Sequence, residues 1–251
     1  MYKRYIKQED WSKIYSVLKE NRQIRVGNEV KTRRFMEGVY FIMRTGAQWR
    51  ELPSTYGKWR SVHKPYEAWC CKDFWNTTLQ LFAQDRDGQS IMIDSTIIRA
   101  HPCAAGYKKD SQTEQALGRN NGGFTTKIHA IVDGLGQALK FCLTPGQRND
   151  ITQAAELLKE FNDTQVLADK GYDSNALIKQ LRSQNCVLII PPRSNRKDVR
   201  EYDKHTYEER HLIECFFNKI KHFRRIFSRF DKKVSSFIGF LAYASFIIWM
   251  R

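Results

Sequence analysis

Near the end of the chain, the stretch YEERHLIECFFNKIK places Tyr207, Arg210, Glu214 and Lys221 at offsets of zero, three, seven and fourteen residues. At about 100° per residue these positions fall in a sector of about 60° on an α-helix. A phenol, a guanidinium, a carboxylate and an ammonium would then share one stripe about four turns long. Leu212, Ile213, Phe216, Phe217 and Ile220 lie mostly outside that sector and supply apolar faces. The plain alternative is a solvated stripe, because Arg210 and Glu214 form an ordinary i,i+4 pair that stabilises a helix only weakly. The stripe carries chemistry only if further carboxylates reach the same place.

Two do so by context. The Ile-rich run SIMIDSTII (residues 90–98) reads as a strand and holds one carboxylate, Asp94. An ionised Asp in an apolar strand is costly unless something neutralises it. In QVLADKGYDS (165–174), Asp169 closes a second short apolar run. Carboxylates from two strands and a helix would be held together by divalent cations, and oxygen ligands suit Mg²⁺ or Mn²⁺. Two such ions fit phosphodiester chemistry, one activating a water or hydroxyl and the other stabilising the leaving oxygen. Asp133, Asp150 and Asp173 compete for these roles, but Asp133 and Asp150 sit at turns, where capping accounts for them.

These residues need elements to place them. Residues 9–20, 29–45 and 59–83 read as helices, broken by Gly27-Asn28 and by Pro53 with Gly57. With Trp11, Trp49, Trp59, Trp69 and Trp75, they suggest a helix-turn-helix-like module; the alternative is a helical bundle whose tryptophans are core. DRDGQ (85–89) marks the boundary between segments 1–84 and 85–251. Beyond it come a strand at 90–98, a hairpin of 126–134 and 138–144, and a helix at 151–161. A strand at 165–169, a helix at 175–184, a strand at 186–190, the striped helix and a last apolar helix follow. The run VSSFIGFLAYASFIIWM is at the short limit for a membrane span and reads as a buried closing helix.

The 251 residues carry 42 Lys+Arg against 27 Asp+Glu, a net charge of +15. Segment 1–84 has 16 basic and 8 acidic residues, 85–200 has 16 and 13, and 201–251 has 10 and 6. A basic front and back around a nearly balanced middle points to a polyanion, with nucleic acid first and an acidic membrane surface second. Six cysteines show no C-x-x-C pair and no zinc spacing, and MYKRYIKQED is not a signal peptide. A reducing cytoplasm, in association with the nucleoid, is the expected location.

The combination resembles the DDE transposases of bacterial insertion sequences, in the branch marked by the fingerprint Y-(2)-R-(3)-E-(6)-K. Tyr207, Arg210, Glu214 and Lys221 match every gap, and IDSTIIRAH and ADKGYDS match the other two blocks. GAQWRELPSTYGKW and GGFTTKIHAIVDG are similar to the insertion-sequence-five family, so the resemblance runs along nearly the whole chain. It implies a ribonuclease H-like mixed α/β sheet flanked by helices, behind an N-terminal all-α domain. Asp94 would lie on the first strand, Asp169 on the fourth and Glu214 on the catalytic helix. Together they would hold two Mg²⁺ or Mn²⁺ ions.

The resemblance further implies binding of the element's terminal inverted repeats, strand cleavage, and joining of the 3′-hydroxyl to target DNA, with a homodimer bringing two ends together. Tyr207, Arg210 and Lys221 would contact DNA. Lys127, Lys170, Arg224 and Arg225 are further candidates, the last two within the basic run KIKHFRRIFSRFDKK, expected to extend the DNA track. Recognition of the ends is expected mainly in residues 1–84. Only 14 residues (193–206) join the last strand to the striped helix, leaving no room there for a large β-insertion. A bare nuclease of the same fold would need no basic helical domain, and an inactive DNA-binding repressor would need no carboxylates.

Overall fold

A computed structural model describes residues 5–21, 24, 26–83, 88–106, 115–196 and 199–250. The boundary expected at 85–89 falls largely on 84–87, outside the described residues.

The chain begins with helices α1 (Gln8–Glu20) and α2 (Glu29–Thr45). Asn28 caps α2 by accepting from the Lys31 N–H, and Gly46 ends it in the left-handed conformation, φ 70°. The helix expected over 59–83 is two: α3 (Trp59–Cys71) and α4 (Phe74–Phe82). Asp73 breaks them with φ 53°, a left-handed turn that Asp tolerates better than most residues. Trp11, Trp69 and Trp75 are buried, as core tryptophans.

Strand β1 (Ser90–Ala100) is central. Next come β2 (Gly118–Asn120), which sequence periodicity does not announce, then β3 (Gly123–Asp133) and β4 (Ala138–Pro145). Asp133 caps the β3–β4 turn by accepting from the N–H groups of Leu135 and Gln137. Helix α5 (Ile151–Leu157), strand β5 (Gln165–Leu167), helix α6 (Asn175–Ser183) and strand β6 (Val187–Ile189) complete the α/β part.

The sheet path is β2-β3-β1-β5-β6, with β4 also on β3. β1 runs antiparallel to β3 and parallel to β5, so the sheet is mixed. Nearly every position of β3 is buried, which requires cover on both faces. One face of the sheet presents Ile91, Ile93 and Ile131 to α5 and α6. The other presents Met92, Ile98, Ile128 and Ala130 to the remaining helices.

The expected single striped helix is two pieces, α7 (Lys204–Glu208) and α8 (His211–Lys221). Between them the backbone tightens, with Arg210 N–H bonding to the Tyr207 carbonyl and Ile213 N–H to that of Arg210, both three residues back. Then follow α9 (Arg224–Phe227), a two-residue strand β7 (Ser228–Arg229) paired with the far end of β1, and α10 (Val234–Trp249).

α10 is apolar all round because it is buried all round. The Tyr66 hydroxyl donates to the Ser236 carbonyl at 2.6 Å and the Tyr243 hydroxyl to that of Met36 at 3.1 Å, tying α10 to α3 and α2. The N-terminal helices and one sheet face thus share a single core through the last helix. No helix among the described residues is long and apolar enough to cross a membrane.

Candidate active site

Asp94 and Asp169 are placed by strand register. Met92 pairs with Leu167 across the parallel β1–β5 ladder, and each Asp lies two residues further on. The ladder stops at Leu167, and β7 takes up the same edge of β1 only at Arg99. Residues 93–98 of β1 therefore face an opening in the sheet edge, at the carboxyl end of β5. Such ends of parallel strands are where open α/β sheets place their sites. Asp169 caps the short turn that follows by accepting from the Gly171 N–H at 2.8 Å.

Glu214 reaches this opening from α8, which is docked on the sheet by the buried Ile213, Phe216, Phe217 and Ile220. Arg210 joins the two carboxylates, one guanidinium N–H donating to Asp94 at 2.9 Å and another to Glu214. Its guanidinium also lies 6.0 Å from the centre of the Tyr207 ring. Seven residues beyond Glu214, the Lys221 ammonium donates to the Thr96 hydroxyl at 2.7 Å. Asp94 and Thr96 lie on one face of β1 by the two-residue period of a strand. Arg210 and Lys221 so bond to one strand face, with Glu214 joined to it through Arg210; Glu214 and Lys221 lie on α8 and Arg210 immediately precedes it.

Burial raises the Asp94 carboxyl above its ordinary range. The Ser95 N–H and Arg210 pull it back, while the charge of nearby Asp169 pushes it up further. Arg210 is desolvated, but Asp94, Tyr207 and Glu214 more than offset this and strengthen its hold on its proton. The cluster is a compact set of opposed charges.

The donor set fits a hard divalent cation: three carboxylates, with no thiol or imidazole among them. Among the described residues, however, no three acidic, His or Cys side chains stand close enough to hold an ion together. The positive charge beside Asp94 and Glu214 is supplied by Arg210.

Two expected DNA contacts are corrected by burial. Lys127 is 8% exposed, and its ammonium donates to Asp150 at 2.7 Å and to the Arg148 carbonyl. It pairs with Ile97, on the face of the sheet opposite Asp94, where Ser95 also donates to Asp150. Arg225 is 6% exposed and doubly bonded to Asp231 at 2.9 and 3.0 Å. Arg229 is fully buried, so the basic run 219–233 is no continuous exposed track. Lys170 and Arg224 are exposed, and Tyr207 is half-buried against Tyr202. Asp173 is also removed from the acidic set: it is buried and accepts from the Arg193 N–H, Arg196 and Arg200. Thr96 was legible as a second polar position on the Asp94 face, from the alternation of β1 alone.

Asp94 thus lies on β1, Asp169 two residues past the end of the neighbouring parallel strand β5, and Glu214 on the late helix α8. Residues 85–247 match the transposase DDE domain family, and residues 6–79 match the model for transposases of the IS4/5 family. The chain belongs to the DDE transposases of the IS4/5 type. A Brucella ovis chain named as a transposase for insertion sequence element IS6501 is 40% identical over 132 residues, 51% of this chain and 99% of that one. The uncharacterized protein y4sN of Sinorhizobium fredii is 30% identical over 104 residues, 41% of this chain and 83% of that one. Among solved structures, a piggyBac transposase synaptic complex with hairpin DNA is similar at 12% identity and TM-score 0.41. That match covers 78% of this chain and about half, 51%, of the other. A pre-cleavage Mos1 transpososome is similar at 12% identity and TM-score 0.29, covering 86% and 77%.

Proposed function

We propose that this transposase binds the terminal inverted repeats of its own insertion sequence, cuts there to expose a 3′-hydroxyl, and joins that hydroxyl to target DNA. The observation that supports this reading is the joining of Asp94 and Glu214 through Arg210, with Asp169 two residues past the end of the parallel strand paired to β1.

Asp94, Asp169 and Glu214 would hold Mg²⁺ or Mn²⁺, with two ions expected; when bound, these would activate the attacking oxygen and stabilise the leaving one. Lys221 and Arg210 grip phosphates beside the scissile bond, Arg210 turning from the carboxylates to do so. Tyr207 stacks on or hydrogen-bonds the DNA end. Lys170, in the turn after Asp169, and Arg224 extend the phosphate contacts. Recognition of the ends is assigned to residues 1–84 and catalysis to 85–251. Two ends require two protomers, most simply a twofold dimer.

The test uses the full chain, because α10 completes the core of the N-terminal helices. Duplexes copied from the DNA flanking the gene and scrambled duplexes are incubated with the protein and Mg²⁺. Cleavage of the flanking duplex alone is expected, lost in Asp94→Asn, Asp169→Asn and Glu214→Gln. Equal cleavage of both duplexes would replace this reading with a plain nuclease, and full activity of any of the three variants would remove that residue from the triad.

A further inference from the structure

We infer that Thr96 is a positioning residue that aims Lys221, and with it the phosphate grip, at the opening beside Asp94. This rests on the reading given under Proposed function.

On the α8 side of β1 the alternating positions are Met92, Asp94, Thr96 and Ile98. Met92 and Ile98 are in the core, so Asp94 and Thr96 are the two polar positions between them on that face. One is tied to α8 through Arg210, the other through Lys221 at 2.7 Å. The two ties join residues 116 and 125 positions apart in the chain, one at the residue that precedes α8 and the other at its last residue.

Lys221 ends α8 on a flexible four-carbon stem, and such an ammonium samples many positions unless its tip is held. It makes no ion pair among the described residues, so its charge is not neutralised. An ammonium has three N–H donors. Thr96 takes one, which fixes the tip and leaves two for a phosphate oxygen. The neighbouring Ile97 and Ile98 show that a branched aliphatic side chain suits this strand. What Thr96 adds to that is its hydroxyl.

The experiment compares the full-length wild type, Thr96→Val, Thr96→Ser, Lys221→Ala and the Thr96→Val/Lys221→Ala double variant. Val keeps the shape and strand preference of Thr, and thermal melting checks that each variant folds. The first readout is acylation of Lys221 by a trace amine reagent, followed by mass spectrometry. Thr96→Val should raise Lys221 labelling several-fold relative to other lysines, and Thr96→Ser should restore the wild-type level. This readout tests the clasp whether or not the protein cuts DNA.

The second readout is cleavage of the flanking duplex with Mg²⁺. Thr96→Val should lower the maximal rate by about five- to tenfold, the scale of one ordinary intramolecular hydrogen bond. DNA affinity should stay nearly unchanged, Thr96→Ser should recover the rate, and Thr96→Val should add no loss in the Lys221→Ala background. Unchanged Lys221 labelling in Thr96→Val overturns the proposal, as does an equal loss from Thr96→Val with and without Lys221. A wild type that fails to cut while its labelling shifts as expected would reject the transposase reading and keep the clasp.

Discussion

Arg210 occupies the place of a counter-ion, and its replacement should expose that role before any DNA is added. In Arg210→Gln a polar, hydrogen-bonding side chain remains, about two bonds shorter, while the charge is lost. Unit charges about 4 Å apart attract by about 4 kcal/mol at an effective dielectric constant of 20. Only part of this survives as net stability. The Glu214 side chain is 54% exposed, so its half of the bridge is screened and contributes little. The Asp94 side chain is 20% exposed, which leaves one partly buried charge-assisted hydrogen bond, about 1.5–3 kcal/mol. A loss of about 2 kcal/mol lowers the melting temperature of a chain this size by about 4–8 °C. The assay is thermal unfolding in a metal chelator and again with saturating Mg²⁺. In the wild type a cation must displace the guanidinium, whereas the variant offers carboxylates already free of it. The variant should therefore melt lower in chelator and gain more from Mg²⁺. A variant as stable as wild type in chelator, or one that gains no more from Mg²⁺, would refute the counter-ion role.

Burial holds the His129 imidazole down at about 4, with Asp150 opposing and Lys127 assisting. A depressed value contributes stability that is complete above the ordinary 6.5 and is lost as pH falls through about 4, at most about 3 kcal/mol. His129→Asn should flatten urea unfolding midpoints over that window. Asp173→Asn removes the negative charge and one of the two acceptor oxygens shared by Arg193, Arg196 and Arg200, and should cost about 3 kcal/mol in urea unfolding, with faster proteolysis near residues 193–196. Gly239→Ala would help an exposed helix, but here a β-carbon would meet the Cys70 sulfur at 2.6 Å. It should destabilise by about 1–3 kcal/mol, and Cys70→Ala should recover part of the loss if α10 packs on α3 as described.

The sequence alone determined the parts whose signal is local. Ile-rich alternation located β1 and put Asp94 within it, and the apolar run after Lys233 declared a helix that had to be buried. The capping role of Asp133 followed from its turn. The spacing of Arg210, Glu214 and Lys221 showed that they belong together, although the tightening at Glu209–Arg210, which divides α7 from α8, left no mark in the periodicity. Periodicity says which face of an element is apolar; it does not say which element lies against that face. Lys127, Arg225 and Lys221 are equally plausible cations along the chain. Only the fold sends the first to Asp150 on the far side of the sheet, the second into a buried pair with Asp231, and the third to Thr96 beside the acidic cluster. The opening where β5 stops short along β1 is likewise a property of strand pairing. A cation's role is decided by the carboxylate or hydroxyl that folding brings to it, for Lys221 from 125 residues away.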